Sequence, residues 1–193
     1  MEPQLVEVLA AHRIDKAALG RLLRERLPAA TVELNIRQFQ GGQSNPTYLL
    51  ESGDHRYVLR KKPPGTVLQS AHMIEREYQV LRALAEHTPL PVPRVRLLCE
   101  DPSVIGTSFY VMDYVPGRVL SHPALAEVAA KHRRPIHFAA IDTLAALHQV
   151  DIEQAGLSDY GRPAGYVARQ VRRWTRQYLA AQTETLPAMD KLM

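Results

Sequence analysis

The sequence has one cysteine, Cys99, in 193 residues, so no internal disulfide framework holds it together. No apolar run approaches the roughly 18 residues of a membrane-spanning helix. The opening residues Met1-Glu2-Pro3-Gln4 lack the basic stretch and apolar core of a secretory leader. These absences exclude a secreted disulfide scaffold and point to the reducing cytoplasm, with no membrane partner. Neither a Walker pattern nor Gly-x-Gly-x-x-Gly occurs, which argues against P-loop and dinucleotide sites. The eight histidines are scattered, and His132 and His137 fall on different helical faces, so no metal cluster is read. A net charge of +4 is modest, and the arginines are not interleaved with base-stacking aromatics, which argues against nucleic acid as a partner. Also missing is any His-Gly-Asp or Asp-rich loop that could supply a catalytic base or magnesium ligands.

What is present is globular: 46% of residues are hydrophobic and 23% charged, close to the averages for a folded domain. Residues from about Leu5 to Leu27 have helical periodicity and read as a helical lead-in. Three β-rich runs follow, at Val32–Phe39, Thr47–Glu51 and Arg56–Lys61, and their short polar connections predict an antiparallel meander. An amphipathic helix is expected from about Ser70 to Glu86, ended by Pro89-Leu90-Pro91-Val92-Pro93. Two further strands fit Arg94–Cys99 and Ser108–Val115. After Pro116-Gly117 everything reads as helix, from about Pro123 to Val150 and Gly165 to Ala181, with another helix opening at Leu186.

The residues suited to chemistry cluster in the β-rich part. In Gln40-Gly41-Gly42-Gln43-Ser44-Asn45, paired glycines let backbone amides approach a phosphate, and Ser44 and Asn45 add side-chain hydrogen-bonding groups. An ordinary hairpin turn has the same composition. Period-two alternation places Val58, Arg60 and Lys62 on one strand face. On the following helix Glu77 falls inside the apolar stripe of Met73, Ile74, Leu81 and Leu84, while Glu75 points away with Gln79 and Arg82. An inward carboxylate needs a cation, and Arg60 on the neighbouring strand is the natural one. The alternative is a helix-edge residue reaching back to water. Arg169, Arg172, Arg173 and Arg176 recur at helical spacing, either as a solvated basic face or as a surface for an anionic ligand such as a CoA thioester or an acidic partner.

The order of these motifs resembles the N-terminal lobe of the aminoglycoside phosphotransferase-like family, which shares the protein-kinase architecture. The likeness is greatest to the kinase-like domains associated with acyl-CoA dehydrogenases. It rests on Gly41-Gly42-Gln43-Ser44-Asn45, Tyr57-Val58-Leu59-Arg60-Lys61-Lys62-Pro63-Pro64-Gly65, Ile74-Glu75-Arg76-Glu77-Tyr78, Pro91-Val92-Pro93-Arg94-Val95 and Phe109-Tyr110-Val111-Met112-Asp113-Tyr114-Val115-Pro116-Gly117. The resemblance implies an α+β fold: a kinase-like N-lobe at 1–116, with five antiparallel strands, one helix and a lead-in over about 1–28. Helices of an incomplete C-lobe would follow at 117–193. It implies that Gly42, Ser44 and Asn45 lie over the phosphates of ATP, that Arg60 is the phosphate-binding strand cation with Val58 beside it, and that Glu77 is its helix partner. Met112 would back the adenine pocket, with the Asp113 carbonyl and Val115 amide facing the adenine edge. The implied activity is transfer of the ATP γ-phosphoryl group to a small-molecule hydroxyl, such as that of a hydroxyacyl compound, with Mg2+ ligands and catalytic base expected past Met193. This span alone would then be inactive. A functional association with an acyl-CoA dehydrogenase is implied as well. The alternative is a non-catalytic nucleotide-binding or interaction module.

Overall fold

The computed structural model describes residues 3–9, 12–27, 33–40, 45–63, 73–120, 122–162 and 164–192. The chain divides into two compact units, Met1–Ala155 and Gly156–Met193. The first is built on an antiparallel sheet of strands β1 (Leu5–Val6), β2 (Asn35–Phe39), β3 (Thr47–Ser52), β4 (His55–Lys61), β5 (Val95–Cys99) and β6 (Phe109–Asp113), in the order β1-β2-β3-β4-β6-β5. Gly53, at φ 58, opens the two-residue loop between β3 and β4, the position where a type II′ hairpin turn needs a glycine.

Register fixes the two faces of this sheet. Leu49 pairs with Val58 and Val58 with Met112, while Thr47 pairs with Arg60 and Arg60 with Tyr110. Side chains alternate along a strand, so Val58, Arg60, Tyr110 and Met112 share one face. Tyr48, Leu50, Tyr57, Leu59, Phe109 and Val111 share the other. The second face joins Leu19 and Leu23 of helix α1 (Lys16–Arg26), and Leu27 at its C-terminal cap, in one core cluster. Leu59 and Phe109 are fully buried there, each worth about 1.5–3 kcal/mol relative to exposure. The first face receives helix α2 (Ile74–His87), whose Ile74, Ala83 and Leu84 are buried. Thr88 ends α2: its amide and its hydroxyl both donate to the Leu84 carbonyl, and the proline-rich segment follows.

Three expectations are corrected. The lead-in is not helical from Leu5. Leu5 and Val6 instead pair with Phe39 and Gln38 as a sixth, edge strand, and α1 starts only where the Asp15 carboxylate accepts from the amides of Ala17 and Ala18. A short helix not anticipated, α3 (Pro102–Ile105), connects β5 to β6. The long helix expected from Pro123 is α4 (Ala130–His148), because Leu125 takes a left-handed backbone (φ 50) and buries its side chain, as Val128 does, so this stretch winds as turns. The second unit contains α5 (Tyr166–Ala181) and α6 (Pro187–Asp190).

Candidate functional site

The site is assembled on the α2-facing side of the sheet. Glu77, in the first turn of α2, receives partners from three strands or their ends. Its Oε1 accepts from Asn45 Nδ2 at 2.8 Å and from Arg60 Nη2 at 3.5 Å, and its Oε2 accepts from the Tyr110 hydroxyl at 3.2 Å. Arg60 Nε lies 2.8 Å from Oε2 as an ion pair, yet its N–H has no aligned hydrogen-bond acceptor. The short separation is therefore a Coulombic contact. With both side chains about one-third exposed, such a pair typically adds only about 0–1 kcal/mol to stability, so its main consequence is placement of the guanidinium. Nε is buried against the Glu77 carboxylate, so any capacity for an anion lies with Nη1, which is not among the Glu77 contacts.

Asn45, only 4% exposed, sits at the entry to β3, and its amide nitrogen is turned to Glu77. Tyr110 reaches the same carboxylate because it lies opposite Arg60 in the β4–β6 ladder. Its hydroxyl is pushed well above the usual tyrosine range, by burial first and then by the Glu77 charge. Tyr110 was not foreseen as a site residue, although its strand was; the register supplies the missing signal.

A second pair lies alongside. The Lys62 ammonium bonds Glu75 Oε1, so Glu75 does not point away as expected. It sits one position into α2, where the helix start passes the exit of β4. Burial alone would raise the Glu75 carboxyl, but hydrogen bonds from Lys62 and from its own amide hold it below the usual range.

Of the remaining expected positions, Val58 is buried and Met112 half-buried on the Arg60 face, Asp113 ends β6, and Val115 is exposed beyond it. Gly42 and Ser44 lie outside the described residues. Among the arginines of α5, Arg169 is turned back to the carbonyls of Arg162 and Ala164, which removes it from any outward basic face. No three carboxylate, imidazole or thiolate groups converge on a metal position among the described residues. No described helix is long and apolar enough to cross a membrane.

Residues 35–193 match the model of a family described as a phosphotransferase enzyme family. Acyl-CoA dehydrogenase family member 11 of Gallus gallus is 46% identical over 196 residues, covering 100% of this chain and 25% of that protein. Family member 10 of Mus musculus is 44% identical over 181 residues, covering 93% of this chain and 17% of that protein. The crystal structure of a protein assigned as an aminoglycoside phosphotransferase from Ralstonia eutropha superposes with a TM-score of 0.73 at 42% identity, over 93% of this chain and 52% of that one. The chain thus spans about a quarter of the length of the first curated relatives it matches.

Proposed function

This chain belongs to the phosphotransferase enzyme family, with its kinase-like α+β fold, and from that premise we propose that it forms the nucleotide-binding part of an ATP-dependent small-molecule kinase. The observation that carries the reading is the Arg60–Glu77 pair, buttressed by Asn45 and Tyr110. Arg60 would bind the nucleotide phosphates through the side of its guanidinium turned away from Glu77, which contacts it through Nε and Nη2. Glu77 keeps the cation on this face of the sheet instead of letting it swing into solvent. Asn45 and Tyr110 hold Glu77, so a charge needed at one point is fixed by neutral groups at the entry to β3 and on β6. Val58 and Met112, on the same face, offer the apolar wall for the adenine ring, and the segment leaving β6 at Asp113–Val115 offers a backbone carbonyl and amide for its edge.

In the reaction, the bond from the γ-phosphorus to the leaving oxygen of ADP breaks and one to the acceptor oxygen forms, while the acceptor hydroxyl loses its proton. We assign neither the base nor magnesium ligation to the described residues, and we propose that both are supplied from outside this chain. This span alone would then bind nucleotide without turning over. The names of the curated relatives favour an acceptor handled beside an acyl-CoA dehydrogenase, such as a hydroxyacyl compound. A lone, buried Cys99 fits a reducing cytoplasm.

Calorimetric titration with Mg-ATP tests the reading. Wild-type protein should bind saturably, and Arg60→Ala and Glu77→Ala should each weaken binding at least about tenfold while keeping the wild-type circular dichroism spectrum. Wild-type affinity retained in both folded variants would sink it.

A further inference from the structure

The ladder between β5 and β6 is irregular at one point. Val95 pairs with Met112 and Leu97 with Val111, so Arg96 is the extra residue of a bulge. A bulge re-aims the side chain at its position. Here Arg96 Nε and Nη2 each donate to one oxygen of the Asp113 carboxylate at 2.7 Å, a two-pronged pair. The Asp113 amide also donates to the Arg94 carbonyl at 2.9 Å. On the other flank, the Tyr114 amide donates to the Arg56 carbonyl at 3.3 Å, and the Arg56 guanidinium lies 4.6 Å from the centre of the Tyr114 ring. The exit of β6 is thus held from both neighbouring strands just before the chain becomes exposed at Val115.

Alternation puts the Asp113 side chain on the sheet face opposite Met112 and Arg60. The clamp therefore acts from behind, leaving the nucleotide face clear. We propose that Arg96 is a positioning residue for base recognition: by gripping the Asp113 carboxylate it fixes the Asp113 carbonyl and the Val115 amide at the spacing that selects adenine over guanine. The proposal rests on the nucleotide-site reading above. The two ends of the nucleotide are then governed separately, the phosphates by Arg60 and Glu77, the base by a contact on the reverse of the sheet. Lysine cannot replace Arg96 here, because an ammonium lacks the planar fork that meets both carboxylate oxygens.

The test is titration of the full-length protein that carries this chain with Mg-ATP, Mg-GTP and inorganic tripolyphosphate. Arg96→Ala is compared with Arg37→Ala, which removes the similarly exposed Arg37–Glu51 pair of the β2–β3 ladder. Arg96→Ala and Arg96→Lys should lower the preference for ATP over GTP by roughly tenfold and leave tripolyphosphate affinity unchanged, while Arg37→Ala changes none of the three. An unaltered ATP-to-GTP ratio in Arg96→Ala, or equal weakening of all three ligands, would overturn the positioning role and leave the nucleotide site standing. Wild-type protein that binds none of the three would overturn the site itself, and the inference with it.

Discussion

Leu50, Leu59 and Phe109 of the sheet are sealed from solvent, whereas Phe138, Ile141 and Leu144 of α4, side chains of the same kind, are about half exposed. Both sets follow the period of their element, two in the strands and about three to four in the helix. What separates them is the number of surfaces each meets. The sheet is covered by α1 on one face and α2 on the other, while α4 has no buried residue at all. In the second unit α5 and α6 likewise have none. A regular apolar stripe left uncovered is an unfinished packing surface. The stability of this chain should therefore reside in the sheet and its two helices, and the helical stretch should be governed by whatever covers it.

Truncation experiments on single side chains test that contrast most strongly. Leu59→Ala should destabilise by about 2–5 kcal/mol in urea denaturation, because it empties a fully enclosed site. Leu144→Ala should stay within about 0.5 kcal/mol, as for a surface position. A cost above about 2 kcal/mol for Leu144→Ala in this 193-residue chain would show the stripe to be packed in solution and the contrast to be false.

The same stripe predicts association. At tens of micromolar the 193-residue chain should sediment as a concentration-dependent mixture, and the double variant Phe138→Ser, Ile141→Ser should shift it toward monomer. Sedimentation of the wild-type chain as a single compact monomer would count against an uncovered face.

The parts legible in the sequence were those decided by local pattern. Strand alternation around Val58-Leu59-Arg60 and the apolar stripe of α2 were enough to bring Arg60 and Glu77 together. The elements were located to within a few residues from β2 to α2 and again from β5 to β6. What stayed hidden depends on register or on distant pairing. Asn45 and Tyr110 reach Glu77 only through the order of β3, β4 and β6. The strand Leu5–Val6 exists because Phe39 and Gln38, more than thirty positions away, offer a free edge. The bulge at Arg96 leaves no mark in composition, and the start of α4 depends on Leu125 accepting an unfavourable backbone to bury its side chain.

Helix ends sharpen the comparison on a smaller scale. α1 is capped by Asp15, which accepts from two amides at 2.9 Å, whereas α4 begins at Ala129 with no side-chain cap. Asp15→Ala should cost about 1 kcal/mol. Ala129→Asp should gain up to about 1 kcal/mol for α4, with a rise in helical ellipticity and no change in the sheet. An equal loss from both substitutions would mean that α4 already satisfies its first amides another way.

Within the well-packed sheet, Lys61 is the buried charged residue among those described. Its side chain is 5% exposed, its ammonium donates to the His12 carbonyl at 3.4 Å, and it lies 5.6 Å from the centre of the Tyr48 ring. Burial lowers its pKa below the usual 10.5. The unfolded chain then binds the proton more tightly than the folded one, so between the lowered value and 10.5 stability from this group rises with pH, and below that window the desolvation cost is fully present. Lys61→Met should accordingly be neutral or stabilising at pH 7, by no more than about 1 kcal/mol, and its advantage should shrink as pH approaches 10. Burial pushes the Tyr48 and Tyr110 hydroxyls well above the usual tyrosine range in the folded chain, and their contribution to the pH dependence is common to wild type and variant, so the difference between urea midpoints isolates the lysine. An advantage for Lys61→Met that stays constant from pH 7 to 10 would show that the ammonium is not penalised by burial. The carbonyl and ring would then repay its desolvation, and the sheet would hold a charge as readily as it holds leucine.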